Sequence, residues 1–214
     1  MEISLNGQKA FLVKTASGTV ICDPANEEEA TFVPSSAADD TVVTAVLRSR
    51  PANSSFRKSG RIGGSDVISH PGEYEIGDLG LRGIAIPVAG EGKRTVTSFR
   101  IDAEGLTTYM LGRPQASPDS RTVQIIGRVD VLLLDAARLE MDVKELSSLI
   151  GALDPSLVLA NGLNADSNEP SPMLKSLRGE MGGDQTSQEP QTRVSVTRSN
   201  LPDDRQLVVL RPRA

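Results

Sequence analysis

The order of hydrophobic and polar positions predicts short strands in the first half of the chain. Apolar residues alternate with polar ones or form brief runs, and the turn pairs Asn6-Gly7 and Ser17-Gly18 separate the first three of these stretches. Such spacing is typical of antiparallel strands joined by hairpins. The predicted strands comprise residues 2–5, 10–15, 19–22, 41–47, 66–69, 73–76, 79–87, 95–102 and 105–111.

From residue 118 onwards the pattern changes to strands that alternate with amphipathic helices. A short helix is predicted from Ser117 or Pro118 to Ile126, and a second begins after Asp142, whose side chain can cap it. A third short helix is predicted around Met173–Met181. The remaining predicted strands lie at 129–134, 156–160, 194–197 and 207–210, and the last two are expected to form a closing pair.

These elements together indicate one layered domain over residues 1–214 that contains both helices and a mixed sheet, an α/β or mixed α+β class. Residues 164–192 are polar and rich in Pro, Gly, Ser and Gln. Apart from the short helix, we expect this segment to be a mobile surface excursion.

Composition narrows the class of protein. The chain has no Trp, four Phe and two Tyr, so its core must be mainly aliphatic. The formal net charge of −5 argues against general nucleic-acid binding, which uses basic surfaces. The single cysteine, Cys22, excludes an intramolecular disulfide and is expected to be a small buried residue. Because no signal peptide or apolar run of membrane-spanning length is present, we expect a cytoplasmic protein.

The most distinctive run of residues begins with the only histidine and reads His70-Pro71-Gly72-Glu73-Tyr74-Glu75-Ile76. Proline holds the preceding residue extended, and glycine permits a left-handed turn. The run is therefore predicted to be a turn that leads into a strand, with Tyr74 on one face and the two glutamates on the other.

Several landmarks in order make the chain similar to a known family. They are the hairpin start at Leu5–Phe11, Asp23-Pro24, Ala38-Asp39 before a valine-rich strand, the Pro71–Glu75 run with Arg82-Gly83-Ile84, Leu111-Gly112, the strand at 129–133, and Ser199–Pro202. This order resembles the metallo-β-lactamase fold, in particular its small branch of predicted metal-dependent hydrolases. The resemblance implies a four-layer αββα sandwich that holds one or two metal ions, usually zinc, at one edge of its two sheets.

The ligand residues that this resemblance implies are missing. Its H-x-H-x-D-H loop corresponds here to Arg48, Arg50, Ala52 and Asn53, and an ungapped alignment gives Ala45, Leu47, Ser49 and Arg50 instead. The later aspartate becomes Arg113, the final histidine falls near Gly162, and a frequent histidine of the first hairpin becomes Gln8. His70 stands where the family has no ligand. A guanidinium would repel a divalent cation, and one imidazole does not make a zinc centre.

We therefore expect no metal, no cofactor and no catalytic residue, and interpret the chain as a non-catalytic binding or structural protein. A homo-oligomer is one form that this role could take. One alternative is a hydrolase with an unconventional site, for example a magnesium site built from the acids Asp23, Asp39, Asp40, Glu73 and Glu75.

Another alternative is an anion-binding module in which Arg48, Arg50 and Arg113 converge on a phosphate or carboxylate. The competing interpretation is that these arginines pair with Asp23 or Asp66, or face solvent. The basic segment 48–61 could also contact a phosphate backbone, but Phe56 is its only aromatic residue, so a solvated loop is favoured.

Overall fold

The computed structural model describes residues 1–26, 30–32, 41–49, 61–62, 65–87, 95–164, 167–182 and 189–212. Within these ranges the chain forms two mixed β-sheets that pack face to face, with three α-helices. The helices are α1 (Ser120–Ile126), α2 (Val143–Leu153) and α3 (Pro172–Met181). None of the helices in this part of the chain is long and apolar enough to cross a membrane.

The strands divide into an N-terminal and a C-terminal sheet. In chain order they are β1 (Glu2–Asn6), β2 (Ala10–Thr15), β3 (Gly18–Cys22), β4 (Ala45–Leu47), β5 (Arg61–Ile62), β6 (Ser65–Ile68), β7 (Gly72–Ile76), β8 (Leu79–Pro87), β9 (Thr95–Ala103), β10 (Leu106–Met110), β11 (Val131–Leu134), β12 (Leu157–Ala160), β13 (Arg193–Ser195) and β14 (Gln206–Val209). The N-terminal sheet has the order β13-β1-β2-β3-β4-β6-β5. The C-terminal sheet has the order β14-β12-β11-β10-β9-β8-β7.

The core between the sheets follows from alternation along the strands. Side chains at successive positions of a strand point to opposite faces, so in β11 Val131 and Leu133 face the other sheet while Leu132 and Leu134 face the helices. Cys22 is buried in the inner core, as predicted.

The three helices all pack on the outer face of the C-terminal sheet. Asp142 caps α2 as predicted, because its side chain accepts hydrogen bonds from the backbone N–H groups of Lys144 and Glu145. The buried side chains of α2 are Leu146, Leu149, Ile150 and Leu153. Over the outer face of the N-terminal sheet, the described residues Ala30 and Phe32 contact an apolar cluster that includes Leu12 and Ile21.

Two predicted elements need correction. The strand expected at 41–47 is regular only in β4, although Thr44 still donates a backbone hydrogen bond to Thr19. The expected closing pair is wrong: β13 pairs with β1 in one sheet, and β14 pairs with β12 in the other. Apolar alternation marks a strand but carries no information on its partner.

The remaining predictions of element type are confirmed where the structure describes the chain. The excursion at 164–192 contains α3, whose Leu174 and Leu177 are buried against the helical layer. Part of the excursion, at residues 165–166 and 183–188, lies outside the described residues. The mobility expected of the segment stays a prediction.

The topology places many carboxyl ends of strands together. Strands β3, β4 and β6 are parallel neighbours in one sheet, and β10, β11, β12 and β14 are parallel neighbours in the other. Residues that directly follow these strands meet at one edge of the sandwich, as the contacts below show.

Candidate functional site

The candidate site is the edge where the segments after β3, β4, β10, β11 and β12 approach one another. In sheet-based α/β proteins the carboxyl ends of strands are the usual place for ligands. The polar side chains that the structure places here are Asp23, Arg48, Ser49, Arg113, Asp135, Arg138 and Asn161.

Asp23 lies at the centre of this edge. Its backbone is left-handed (φ +52°), and its N–H donates to the carbonyl of Leu47 at 2.7 Å. The carboxylate oxygen Oδ1 accepts from the backbone N–H of Ser49 at 3.0 Å and from its hydroxyl at 2.7 Å. The other oxygen, Oδ2, accepts from Nε of Arg113 at 3.0 Å. Both oxygens of the buried carboxylate are therefore bonded, one by a residue that follows β4 and the other by a residue that follows β10.

A second buried ion pair, Asp135 with Arg138, lies beside the pair of Asp23 with Arg113. The guanidinium of Arg138 donates through Nε to Oδ2 of Asp135 and through Nη2 to the backbone carbonyl of Asp23 at 2.7 Å. Burial raises the pKa of the Asp135 carboxyl, and the Asp23 charge adds to this rise, while Arg138 opposes it. Two arginines thus hold the two buried acids of the edge.

Gly112, which follows β10, lies in close contact with Ser49, which follows β4. Gly112 has φ +73°, and a Cβ atom built on it would lie 2.7 Å from Cβ of Ser49. The carbonyl of Ser49 accepts a hydrogen bond from the backbone N–H of Thr97 in β9 at 2.7 Å. Only glycine fits at 112 without a shift, and the two sheets are bonded directly through Ser49.

Gly162, near which the resemblance places a final histidine, is also tightly surrounded, but by other residues. Its φ is +121°, and an added Cβ would lie 3.0 Å from Oγ of Ser171 and 3.3 Å from Ala136. Ser171 caps α3, donates its N–H to the Gly162 carbonyl and donates its hydroxyl to the Ala136 carbonyl, each at 2.7 Å. A larger side chain at 162 would require the start of α3 to move.

Of the three arginines proposed from the sequence as an anion site, the structure describes Arg48 and Arg113. Arg48 is buried at the end of β4, where its backbone N–H donates to the carbonyl of Ile68 at 2.9 Å. Arg113 pairs with Asp23, as the competing interpretation of the arginines held. Arg50, Ala52 and Asn53 lie outside the described residues, as do Asp39 and Asp40.

The motif that begins at His70 lies in a turn and an edge strand. The exposed His70 accepts at its carbonyl a 2.8 Å hydrogen bond from the Tyr74 hydroxyl, and its Nδ1 lies 3.2 Å from Oγ of Ser69. Glu73 and Glu75 are exposed on β7, and Glu73 pairs with Arg82 across the strands at 2.5 Å. The predicted division of faces between Tyr74 and the glutamates is confirmed.

Asp135 and Arg138 were not singled out from the sequence. A usable signal was present, since Asp135 directly follows the buried run Val131–Leu134 and Arg138 stands three residues later. An acid at the end of a buried strand, with a cation one turn away, predicts a buried pair at a sheet edge.

The donor set does not fit a zinc centre. The whole chain has one histidine, which lies in the turn before β7, and both oxygens of Asp23 already accept hydrogen bonds. Across the ranges that the structure describes, no group of three or more His, Cys, Asp or Glu side chains is arranged to hold a metal ion. The cations beside Asp23 and Asp135 are guanidinium groups.

Comparisons with known proteins agree with this fold. The family model described as the beta-lactamase superfamily domain matches residues 2–161. No protein with a curated description shows significant sequence similarity to the chain.

Similar solved structures share the sandwich at low sequence identity. A candidate zinc-dependent hydrolase of the metallo-β-lactamase superfamily from Thermotoga maritima is 17% identical with a TM-score of 0.72, over 98% of this chain and 97% of that one. The metallo-β-lactamase fold protein YhfI from Bacillus subtilis is 10% identical with a TM-score of 0.58, over 98% and 96%. A candidate metal-dependent hydrolase from Parabacteroides distasonis is 11% identical with a TM-score of 0.56, over 85% and 88%. These similarities show the fold.

Proposed function

The chain belongs to the beta-lactamase superfamily, and we propose that it is a non-catalytic member that serves as a binding or structural protein. One observation carries this proposal: both oxygens of the buried Asp23 carboxylate already accept hydrogen bonds, from Ser49 and from Arg113. A metal ion would have to compete with these donors, one of which is a cation.

The energetic argument points the same way. A metal at Asp23 would have to displace Arg113, and breaking one partner out of a buried ion pair costs about 3–5 kcal/mol. Positively charged guanidinium groups of Arg113 and Arg138 would remain nearby and repel the ion. Of the positions where the resemblance expects ligands, one is Arg113 itself and another lies near Gly162, where an added Cβ would lie 3.0 Å from Oγ of Ser171.

Elemental analysis tests the proposal. Protein purified without chelators, and again after incubation with zinc, manganese or ferrous iron, should carry far less than one metal ion per chain. The matched control is Asp23→Asn, which removes the central carboxylate charge and should give the same metal content as the wild type. One or two tightly bound ions in the wild type that are lost in this variant would overturn the proposal.

Hydrolysis assays distinguish the non-catalytic role from the main alternative, a hydrolase with an unconventional site. The non-catalytic role predicts no turnover of ester, lactone or phosphodiester substrates above that of the Asp23→Asn protein. Turnover that disappears on chelation, or on replacement of Asp23 or Glu73, would establish a hydrolase with an unconventional site instead.

A second candidate role is the binding of a small anion at the same edge. It is supported by the residue types at this edge, since among the described residues Arg113 and Arg138 lie beside the buried acids Asp23 and Asp135, and Arg48 is buried at the end of β4. Arg50 would extend the set if its segment approaches them. Guanidinium groups are suited to phosphate and carboxylate.

Thermal shift measurements test this second role. Phosphate, sulfate or a nucleotide at millimolar concentration should raise the melting temperature of the wild type and should raise that of Arg113→Ala less. Arg128→Ala is the control, because Arg128 is a highly exposed arginine whose removal should leave the shift unchanged. No stabilisation of the wild type by any of these anions would remove the anion-binding role.

A further inference from the structure

Strand β7 lies at the end of the C-terminal sheet and has one backbone edge that faces away from the sheet. Its pairing partner is β8, and a two-residue turn, Gly77-Asp78, joins the two strands. Ile76 and Leu79 on either side of such a turn form a hydrogen-bonded pair, and these pairs alternate along an antiparallel ladder. The N–H and C=O groups of Glu73 and Glu75 therefore point away from β8.

This edge of β7 is unoccupied and held in place. The backbone groups of Glu73 and Glu75 have no other hydrogen-bond partner among the described residues. Tyr74, which lies between them, packs against the inner core and donates its hydroxyl to the carbonyl of His70 at 2.8 Å. The edge is thus formed before a partner arrives, which lowers the entropic cost of binding. Addition of a strand to such an edge is one of the recurring ways in which proteins bind extended peptides.

The side chains along the edge are acidic. Because Tyr74 faces the inner core, Glu73 and Glu75 point to the outer face of the sheet. Glu73 pairs with Arg82, whereas Glu75 forms no ion pair with any residue in the ranges that the structure describes. The neighbour of Glu75 on β8 is Gly80, which has no side chain, and an open hollow of ≈ 760 Å³ lies over this part of the outer face. A cationic side chain therefore has room beside Glu75.

A second copy of the chain does not suit this edge. If two β7 strands paired antiparallel about Tyr74, Glu73 of one copy would lie opposite Glu75 of the other. Like charges at opposite positions destabilise a strand pair, and charged residues on an edge strand protect against self-association. The same two acids favour a strand that carries positive charges at alternate positions.

We propose that β7 binds an extended segment of a partner protein in which two lysine or arginine residues flank a β-branched residue. The segment lies antiparallel to β7, and its two cationic residues exchange backbone hydrogen bonds with Glu75 and Glu73. Their side chains lie beside these carboxylates, and the central residue lies opposite Tyr74. The inference goes beyond the proposed function, because it concerns β7 and not the edge around Asp23.

NMR titration of the nitrogen-15-labelled protein with matched peptides tests the charges and the backbone contacts. The probe is the acetylated and amidated peptide GTKVKTG, which should shift the amide signals of Glu73 and Glu75. GTEVETG should bind at least about tenfold more weakly, because its charges repel the two acids. N-methylation of both lysines removes the donors that face β7 and should also weaken binding about tenfold or more. N-methylation of the valine, whose N–H faces away from β7, should change the affinity less than about threefold.

No binding of the lysine peptide at millimolar concentration would overturn the proposal. Equal binding of the two N-methylated forms would also overturn it, because strand addition requires the lysine N–H groups and not that of the valine.

One charge reversal tests which acid recognises the peptide. Glu75→Lys should reverse the preference, so that GTEVETG binds more tightly than GTKVKTG. Glu180→Lys is the matched control, since Glu180 is an exposed acid on α3 and its replacement should leave the preference unchanged. A preference for the lysine peptide that survives Glu75→Lys would contradict the assignment.

Sedimentation and hydrogen exchange test for a second copy at the same edge. The amides of Glu73 and Glu75 should exchange readily in the free protein and should become protected when GTKVKTG is bound. A dimer in which these amides are protected without peptide would mean that a second copy occupies β7, and would overturn the proposal.

The outcomes distinguish this inference from the proposed function. If the lysine peptide does not bind while the protein remains free of metal and inactive, only the inference on β7 fails. If metal ions bind around Asp23 and the peptide still binds β7, the non-catalytic role fails and the inference stands.

Discussion

At the scale of single residues, the chemistry of the edge depends on Asp23. Its carboxylate is bonded on one side by Ser49, which follows β4 of the N-terminal sheet, and on the other by Arg113, which follows β10 of the C-terminal sheet. A charge-assisted hydrogen bond of this kind is stronger than a neutral one, and burial prevents water from replacing it. Asp23 therefore joins the sheets at the edge to which the carboxyl ends of their parallel strands lead.

Removal of Arg113 should destabilise the protein. In Arg113→Ala the buried carboxylate of Asp23 loses its charge partner, and we expect a loss of ~3 kcal/mol in the free energy of unfolding. Urea denaturation measures this loss. Arg128→Ala, which removes a highly exposed partner of Asp130, should cost less than about 1 kcal/mol. Equal losses in the two variants would show that Asp23 does not depend on Arg113.

Asp135 gives the protein a predictable pH dependence. Burial raises the pKa of its carboxyl, so the folded state binds the proton more tightly than the unfolded state does. Ionisation then costs folding free energy as the pH rises from the unfolded value of about 3.9 through the higher folded pKa. Relative to Asp135→Asn, which does not titrate, the wild type should lose stability as the pH increases from 4 towards 7.

Urea unfolding of both proteins across this range measures the difference, and carbon-13 NMR of labelled aspartate follows the Asp135 carboxyl directly. Its titration midpoint should lie above that of an ordinary aspartate. A stability difference that grows in favour of the wild type with rising pH would mean that the attraction of Arg138 exceeds the cost of burial.

At the scale of elements, the strands and helices that could be predicted are those whose signals lie close together in the sequence. The hairpins β1–β2–β3 follow from alternation and from turn residues that lie next to each other in the chain. The start of α2 follows from one side chain, Asp142, that bonds within its own turn. The partners of β13 and β14 could not be predicted in this way, because their neighbours are β1 and β12, far away in sequence.

The candidate site shows the same limit. The residue types alone show that one histidine cannot supply a histidine-rich metal loop, and they offered the pairing of Arg113 with Asp23 as one of two interpretations. The lack of space for a side chain at Gly162 could not be predicted from the sequence. It depends on Ser171, whose position is set by the packing of α3 on the C-terminal sheet. The contact between Arg138 and the carbonyl of Asp23 likewise joins residues 115 positions apart.

Two glycines in the second half of the chain should respond in opposite ways to the same substitution. Gly162→Ala places a Cβ against Ser171 at a positive φ, and we expect a loss of about 1–3 kcal/mol in the free energy of unfolding. Gly151→Ala lies within α2 with nothing near the added Cβ, and should stabilise by roughly 0.5–1 kcal/mol. Thermal and urea denaturation measure both. A Gly162→Ala protein as stable as the wild type would show that the start of α3 yields easily.

At the scale of the whole molecule, the edge is a set of links between two sheets whose other contacts are mainly apolar. The inner core is mainly aliphatic, and its apolar contacts have no preferred direction, so it does not by itself fix how the loops at the ends of the strands meet. Arg113 and Arg138 supply direction, because both bond to Asp23, one at the carboxylate and one at the backbone carbonyl. In this chain the two sheets are joined at that edge by side chains.

The shared contact predicts that the two arginines act together. If both hold the same residue, loss of one changes the position of Asp23 and weakens the contact of the other, so the effects of Arg113→Ala and Arg138→Ala should not add. We expect an interaction energy of about 0.5–3 kcal/mol in a double-mutant cycle measured by urea denaturation. The cycle of Arg113→Ala with Arg128→Ala is the control and should be additive within about 0.5 kcal/mol, since Arg128 contacts Asp130 and not Asp23. Additivity in both cycles would mean that the two arginines hold the sheets independently and that Asp23 is not the link between them.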